Sequence, residues 1–480
     1  METLTRRPSS FSFTAIPRIR RATLGVLTAW LLASCTTPPP TQLSASESAQ
    51  AYRARSLDDP GLRAFVARLH ERSSSWPPAR FDAQALHVVA LYFSPNITVA
   101  EARWRVARAV VATAGERPNP TLSLNPLYVT TAAAGMSPWF LSAGLVQLLE
   151  TGSKRSYRVA HAEYLAEAAR LEILAAAWSV VSRVDNLLLD ASAAQGRLAA
   201  LDGQIAIQTE LVEAAGKRLA VGLGSRLELV TARSVLTRAT LDRQATSAAL
   251  TETLHQLAIA AGIPATQLTV DRIELPSLTR PLPPDFAARV RSAAPLNRAD
   301  LLARLADFAA SDATLRLQLA GRVPNLEIGP SFEYDQGDRK WGVSLAVALP
   351  IFNQNGGAIG EALAARRQAA EQFTAVQAAI IGEVDRAIAA YEQRAISLQV
   401  AERLYVEQAN RARAQETLFA RGEIDRPELL AARAELAAAV TAQADAKGTV
   451  AKAALAVEAA GQLSADGVDP VADFLNQAQP

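Results

Sequence analysis

The stretch VGLGSRLELVTAR at residues 221–233 is echoed by RGEIDRPELLAAR at residues 421–433. Gly222, Arg226, Glu228, Leu229, Ala232 and Arg233 return 200 positions later as Gly422, Arg426, Glu428, Leu429, Ala432 and Arg433. Self-similarity at a fixed interval marks a supersecondary unit used more than once. The echo extends outward. SPNITVAEAR at 94–103 is matched by APLNRADLLAR at 294–304, with Pro95 and Pro295 at the same interval, and RPNPTLSL at 117–124 is matched by RVPNLEIG at 322–329 after a short insertion. Between the copies, residues 262–285 carry Pro264, Pro276, Pro281, Pro283 and Pro284, which cannot sit inside a helix, so this segment reads as a linker.

Each copy contains one long stretch with helical character. Residues 154–221 hold no proline, and a helix of that length would reach ~100 Å. In the second copy residues 361–421 place Phe373, Val376, Ile380, Val384, Ile388, Tyr391 and Leu398 at the spacing of a bundle or coiled-coil seam, with Gln, Glu and Arg on the remaining face. Half of all residues are hydrophobic but only 6% are aromatic. Ala supplies much of the apolar content, and it favours helices that pack closely side by side in water. Gly222 and Gly422 end these stretches, and helical patterns return over 227–261 and 427–461. Gly suits the left-handed conformation at a helix C-terminus and Pro427 suits a first turn, so each echoed sentence reads as the tip of a helical hairpin.

The other end of each long helix has a period of two. NLEIGPSFEY at 325–334 puts Leu326, Ile328, Phe332 and Tyr334 on one face, and KWGVSLAVALPIF at 340–352 puts Trp341, Val343, Leu345, Val347, Leu349 and Ile351 opposite small residues. About ten residues with an apolar outer face and a small or polar inner one is the texture of a transmembrane β-strand, and DQGDR at 335–339 suits a hairpin connection. Residues 121–130 and 139–150 form the equivalent pair with a less regular alternation, Leu127, Val129, Val146 and Leu148 falling on the polar face. Tyr128, Trp139, Phe140, Tyr334, Trp341 and Phe352 cluster near strand ends, as interfacial girdles require. Four strands cannot close a barrel, and lipid does not tolerate an open edge, so membrane-crossing strands would need completion by other subunits.

At the N-terminus Arg18, Arg20 and Arg21 precede 13 apolar or small residues at 22–34, too few to span a bilayer as a helix. They read as a signal peptide. Leu32-Ala33-Ser34-Cys35 resembles the bacterial lipoprotein box, which implies lipidation of Cys35, the only cysteine. Thr36 follows where a retention signal would place Asp, and residues 36–48 read as disordered. The expected organisation is a signal peptide at 1–34, a lipidated segment and linker at 35–80, the first copy at 81–262, a linker at 263–284, the second copy at 285–462 and a tail at 463–480.

Other functions find little support. Lys and Arg total 49 against 47 Asp and Glu, so no basic excess of the kind nucleic acid selects is present. His70, His87, His161 and His255 are scattered without metal-ligand spacing, TGSKRS lacks the leading glycine and following hydroxyl of a phosphate loop, and GLGSR lacks nucleophile-elbow spacing. No enzyme, metal or cofactor is implied. The competing class is a non-conducting periplasmic coiled-coil scaffold or adhesin lipoprotein.

The duplicated order of helix, two strands, long helix, glycine tip and returning helix resembles the TolC-type outer-membrane efflux proteins over roughly residues 81–462. LPIFNQNGG at 349–357 and ETGSKR at 150–155 are similar to the CzcC-like and CusC-like branch of heavy-metal efflux systems, with Gly152-Ser153 where that branch more often has two glycines. The resemblance implies a mainly α fold with a transmembrane β-barrel. In it a homotrimer draws four strands per protomer into one barrel and long helices into a periplasmic coiled-coil tunnel. It also implies an outer-membrane location and passive conduction of heavy-metal cations or small toxic compounds from an inner-membrane RND-type pump and a periplasmic adaptor. Gly222, Leu223 and Gly422 match the adaptor-docking tips, with Glu423 replacing the apolar residue in the second. Glu228 and Glu428 match an acidic periplasmic gate whose closed state Arg226 or Arg426 would hold by pairing, and Ala431 stands where the family commonly has a second acid.

Overall fold

The computed structural model describes residues 42–69, 76–133, 135–467 and 471. The expected signal peptide and Cys35 lie outside them. The chain divides into two compact units, Met1–Ala54 and Arg55–Pro480. In the first, helix α1 (Ala45–Arg53) is capped by Ser44, whose hydroxyl accepts from the Glu47 amide. Ser44 and Glu47 form the S-x-x-E signature of a helix start, so residues 45–48 are helical where disorder was expected.

In the second unit the elements follow as α2 (Pro60–Leu69), α3 (Ala83–Phe93), α4 (Pro95–Gly115), β1 (Thr121–Tyr128), β2 (Trp139–Leu149), α5 (Lys154–Ala220) and α6 (Arg226–Ala260). After two short 3-10 turns come α7 (Phe286–Asn297), α8 (Ala299–Ala320), β3 (Leu326–Asp335), β4 (Asp338–Val347), α9 (Gly356–Ala420) and α10 (Arg426–Gly461). The protein is mainly helical with one small antiparallel sheet. The long helices α5 and α9 run unbroken through Gly196, Gly203 and Gly382, whose missing side chains face open space. None of the described helices is long and apolar enough to cross a membrane.

Helix α5 packs against α4, α6, α8 and α10, and α9 packs against α8 and α10, so the first copy's long helix lies between elements of both copies. The contact faces are lined by small residues. At Gly448 on α10 a side-chain carbon would come within 2.9 Å of the Ala193 methyl on α5, which fixes how closely these helices approach. Each copy also has an apolar core where its returning helix ends, against the middle of its long helix. Leu86, Val89, Val184, Leu188 and Leu257 belong to the first, and Phe286, Val290, Ile380, Val384 and Ile388 to the second. The expected seam of α9 thus faces the second core. An arginine ties each helical joint: Arg55 donates to the carbonyls of Phe93 and Gly262, and Arg298 donates to Ala460 O and pairs with Glu383 and Asp300.

Three segments expected to be connections contribute to packing. Leu62 on α2 and Ile263 just past α6 are fully buried, Phe81 bridges Ile273 in parallel, and Val471 joins the first core. Proline forbids a helix over the inter-copy segment, but it does not forbid an extended strip whose apolar residues seal the core. The 200-residue equivalence also breaks at one point. Pro95 opens α4 at its first turn, whereas Pro295 lies inside α7, and the helix corresponding to α4 starts only at Ala299.

The sheet has the order β1-β2-β3-β4. Its register sets Leu326 against Val347, Ile328 against Leu345 and Phe332 against Trp341 on one face, with Gly329 against Ser344 and Ser331 against Gly342 on the other. The first hairpin agrees, pairing Leu122 with Leu145, Leu124 with Ala143 and Tyr128 with Trp139. Phe140 is an exception to the expected girdle, because it pairs with Leu127 on the polar face. Strand β4 ends at Val347, so Leu349 and Ile351 lie beyond the ladder, next to Pro350, which lacks a donor. The β3–β4 connection has positive φ at Gln336 and Gly337, the handedness that matches a two-residue hairpin. Gly329 is required where β3 meets β2, since an added carbon would sit 1.6 Å from the Leu145 carbonyl oxygen.

Candidate functional site

Both tips are built by the same backbone device. Gly222 and Gly422 sit just past α5 and α9 with φ of +77° and +75°. The amide of Gly222 donates to Leu219 O and that of Leu223 to Arg218 O, while Gly422 donates to Phe419 O and Glu423 to Leu418 O. This is the paired closure of a helix C-terminus by a left-handed residue. The returning helices begin equally alike. Ser225 Oγ accepts from the Glu228 amide at 3.1 Å, and Asp425 Oδ1 accepts from the Glu428 amide at 3.0 Å. Glu228 and Glu428 are therefore first-turn carboxylates, where the helix dipole favours negative charge.

Side chains at the tips differ. Val221, Leu223 and Leu227 of the first are 69%, 73% and 75% exposed and form an apolar patch. The second offers Arg421 and Glu423, 3.9 Å apart.

The gate residues are present, but their partners differ from the expected ones. Arg218 Nε lies 3.8 Å from Glu228, and its Nη1 lies 3.3 Å from Asp425 in the other copy. Arg426 pairs with Glu210 at 3.3 Å rather than with a glutamate of the echoed sentence. Among the described residues Arg226 and Glu428 form no ion pair. Glu228 and Arg426 reach across to the last turns of α5, whereas Arg226 and Glu428 are exposed. Two ion pairs thus join the tips of the two copies within one protomer. Beside them a cleft of about 360 Å³ is lined by Glu210, Glu416, Phe419, Arg426, Leu429, Leu430 and Arg433, with Arg433 bound to Glu416. Glu210, Arg218 and Asp425 were not legible as site residues, since Glu210 and Arg218 have Asn410 and Leu418 at the 200-residue interval and so carry no echo.

The two motif stretches at the strand-to-helix junctions act as joints. Ser153 and Asn355 precede α5 and α9 in the left-handed conformation. Lys154 Nζ donates to Val323 O and Asn325 Oδ1, Arg155 donates to Gly115 O, and Asn355 Nδ2 donates to Gln318 O. The lysine of TGSKRS is occupied by the neighbouring hairpin. Of the scattered histidines, His87 lies 2.6 Å from Asp185, His161 Nδ1 lies 2.9 Å from Ala310 O, and His70 falls outside the described residues.

A family model described as outer membrane efflux protein matches residues 87–262 and 290–461. None of the curated proteins matches the sequence. Among solved structures, the fold is similar to that of the outer membrane protein VceC from Vibrio cholerae, with a TM-score of 0.64 and 17% identity over 79% of this chain and 95% of that one. It is similar to the CmeC outer membrane channel of Campylobacter jejuni, with a TM-score of 0.64 and 15% identity over 92% of this chain and 97% of that one. It is also similar to CusC, with a TM-score of 0.63 and 16% identity over 90% of this chain and all of that one. At such identities the structural likeness is one of fold; the family rests on the two matched stretches, one in each copy. The chain belongs to the outer membrane efflux protein family.

Proposed function

We propose that this protein is the outer-membrane duct of a tripartite efflux system, a homotrimer that conducts heavy-metal cations or small toxic compounds passively while an inner-membrane RND-type pump supplies the energy. The observation that carries the reading is the sheet. Its outer face is apolar and exposed, and β1 and β4 each offer an unpaired edge among the described residues. Unpaired edges are not tolerated in lipid, so closure needs further copies of the same four strands. In this reading the helical hairpins, ~100 Å long, reach through the periplasm, Cys35 carries the lipid anchor, and Gly222, Leu223 and Gly422 meet the adaptor. Glu228 and Glu428, repeated around a threefold axis, would form rings of negative charge that favour cations. The pairs Arg218–Asp425 and Arg426–Glu210 hold the tips together in the closed state. The test is reconstitution of the detergent-purified chain in a planar bilayer, with cross-linking to count subunits. We expect a heat-modifiable trimer and discrete current steps; a monomer that dissolves without detergent and passes no current would overturn the proposal.

A further inference from the structure

Away from the tips, a cavity of about 390 Å³ opens where α3 and α5 of the first copy meet α10 of the second, under the proline-rich segment that joins the copies. This is the size range of small-molecule sites. Its walls are mostly apolar and include Val88, Leu91, Trp178, Leu189 and Leu455. The polar groups that reach it do not balance. His87 and Asp185 are paired at 2.6 Å and half-buried, and Arg280 is paired with Asp466 on a more exposed side. Glu458 is left over. Its carboxylate accepts from the Ala465 amide at 3.2 Å and forms no ion pair among the described residues. Burial pushes its carboxyl up from the ordinary glutamate range, against a smaller lowering by the Ala465 amide and Arg280.

With these groups ionised the cavity carries net negative charge whether or not His87 is protonated. An ion that entered it would need one positive centre for Glu458 and an apolar body for the walls. A bare metal ion has no apolar body, and no three His, Cys, Asp or Glu side chains among the described residues are placed to hold one. An indole face such as that of Trp178 attracts ammonium groups. We propose that the cavity is a binding site for an organic ammonium ion, its charged nitrogen held by Glu458 and its apolar body against Trp178, Val88 and Leu455. Because both copies build the walls, an occupant would bridge them. The site lies within one protomer and does not depend on conduction.

The test is a fluorescence titration of the full-length protein in non-ionic detergent with ethidium, against anilinonaphthalene sulfonate, an anion of similar bulk. We expect saturable ethidium binding, weakened about ten- to a hundredfold by Glu458→Gln, with anion binding unchanged. Should Glu458→Gln fail to assemble, Ser182→Leu, which fills the cavity from α5 and leaves every charge in place, should also abolish ethidium binding. Equal ethidium affinity in wild type and Glu458→Gln, or anion binding as tight as cation binding, would overturn the assignment. Ethidium binding that emerges only in a chain shortened after Val471 would do the same, by giving the cavity to the C-terminal tail.

Discussion

The tips of the two copies share a backbone and the echoed residues of the returning helix, but not the side chains that flank each glycine. Both close on a left-handed glycine and restart on a capped first turn, yet one shows Val221, Leu223 and Leu227 to solvent and the other Arg421 and Glu423. The shared part is what a tight reversal between two long helices requires of any chain. The divergent part is under no such constraint. The strand ends give the same lesson. Ser153 and Asn355 repeat a left-handed joint, while the strands leading to it differ in how regularly they alternate.

The comparison breaks most severely at the far ends of the returning helices. Gly262 and Gln462 both adopt positive φ, +72° and +48°. At Gly262 an added side-chain carbon would come within 2.6 Å of the Phe93 carbonyl oxygen. Gly262→Ala therefore combines a strained backbone with overpacking and should cost about 3 kcal/mol. Gln462 has already adapted to the left-handed position, and its side chain accepts from the Ala299 amide at 2.9 Å, completing the start of α8. Gln462→Ala should cost about 1 kcal/mol, the value of that hydrogen bond. Parallel thermal melts check both; similar losses would show the two joints to be interchangeable.

A smaller effect is expected at the tips. The pairs Arg218–Asp425 and Arg426–Glu210 are exposed, and each contributes about 0–1 kcal/mol. The double variant Arg218→Ala with Arg426→Ala should raise the open fraction in a planar bilayer by several-fold, up to about thirtyfold if both pairs contribute fully. Arg226→Ala should change nothing, because Arg226 forms no ion pair among the described residues. A larger response to Arg226→Ala than to the double variant would restore the gate expected from the echoed sentence.

Much of this architecture was open to reading. The interval of 200 located both tips, proline-free stretches located α5 and α9, and alternation located the sheet, because each rests on a local period that the chain must obey. What resisted was tertiary. Nothing local reveals that Arg218 reaches Asp425 across the copies, or that Ile263 and Ile273 seal the first core from within a proline-rich segment. Equal spacing also misled at Pro95 and Pro295, where a short insertion shifted the frame and left one proline opening a helix and the other inside one.

The smallest predicted effect concerns Glu458, whose counterpart 200 residues earlier is Ala258, a fully buried residue of the first core. One copy buries a methyl where the other half-buries a carboxylate. Burial raises the carboxyl's pKa in the folded protein above its unfolded value, so the folded state holds this proton more tightly. Above the raised pKa both states are ionised and the full cost of burying the charge is present. As pH falls through that value the folded form takes up its proton and the cost is relieved, and below the unfolded value, about 4.3, both states are neutral and no difference remains. Without ligand, Glu458→Gln should melt higher than wild type at pH 7.5, by about a degree or two, with the gap closing by about pH 4. The glutamine oxygen can still accept from the Ala465 amide, so the comparison isolates the charge. A variant that melts lower at neutral pH would mean that the attraction of the Ala465 amide and Arg280 outweighs the cost of burying the charge, and that the two copies differ in polarity at no expense to stability.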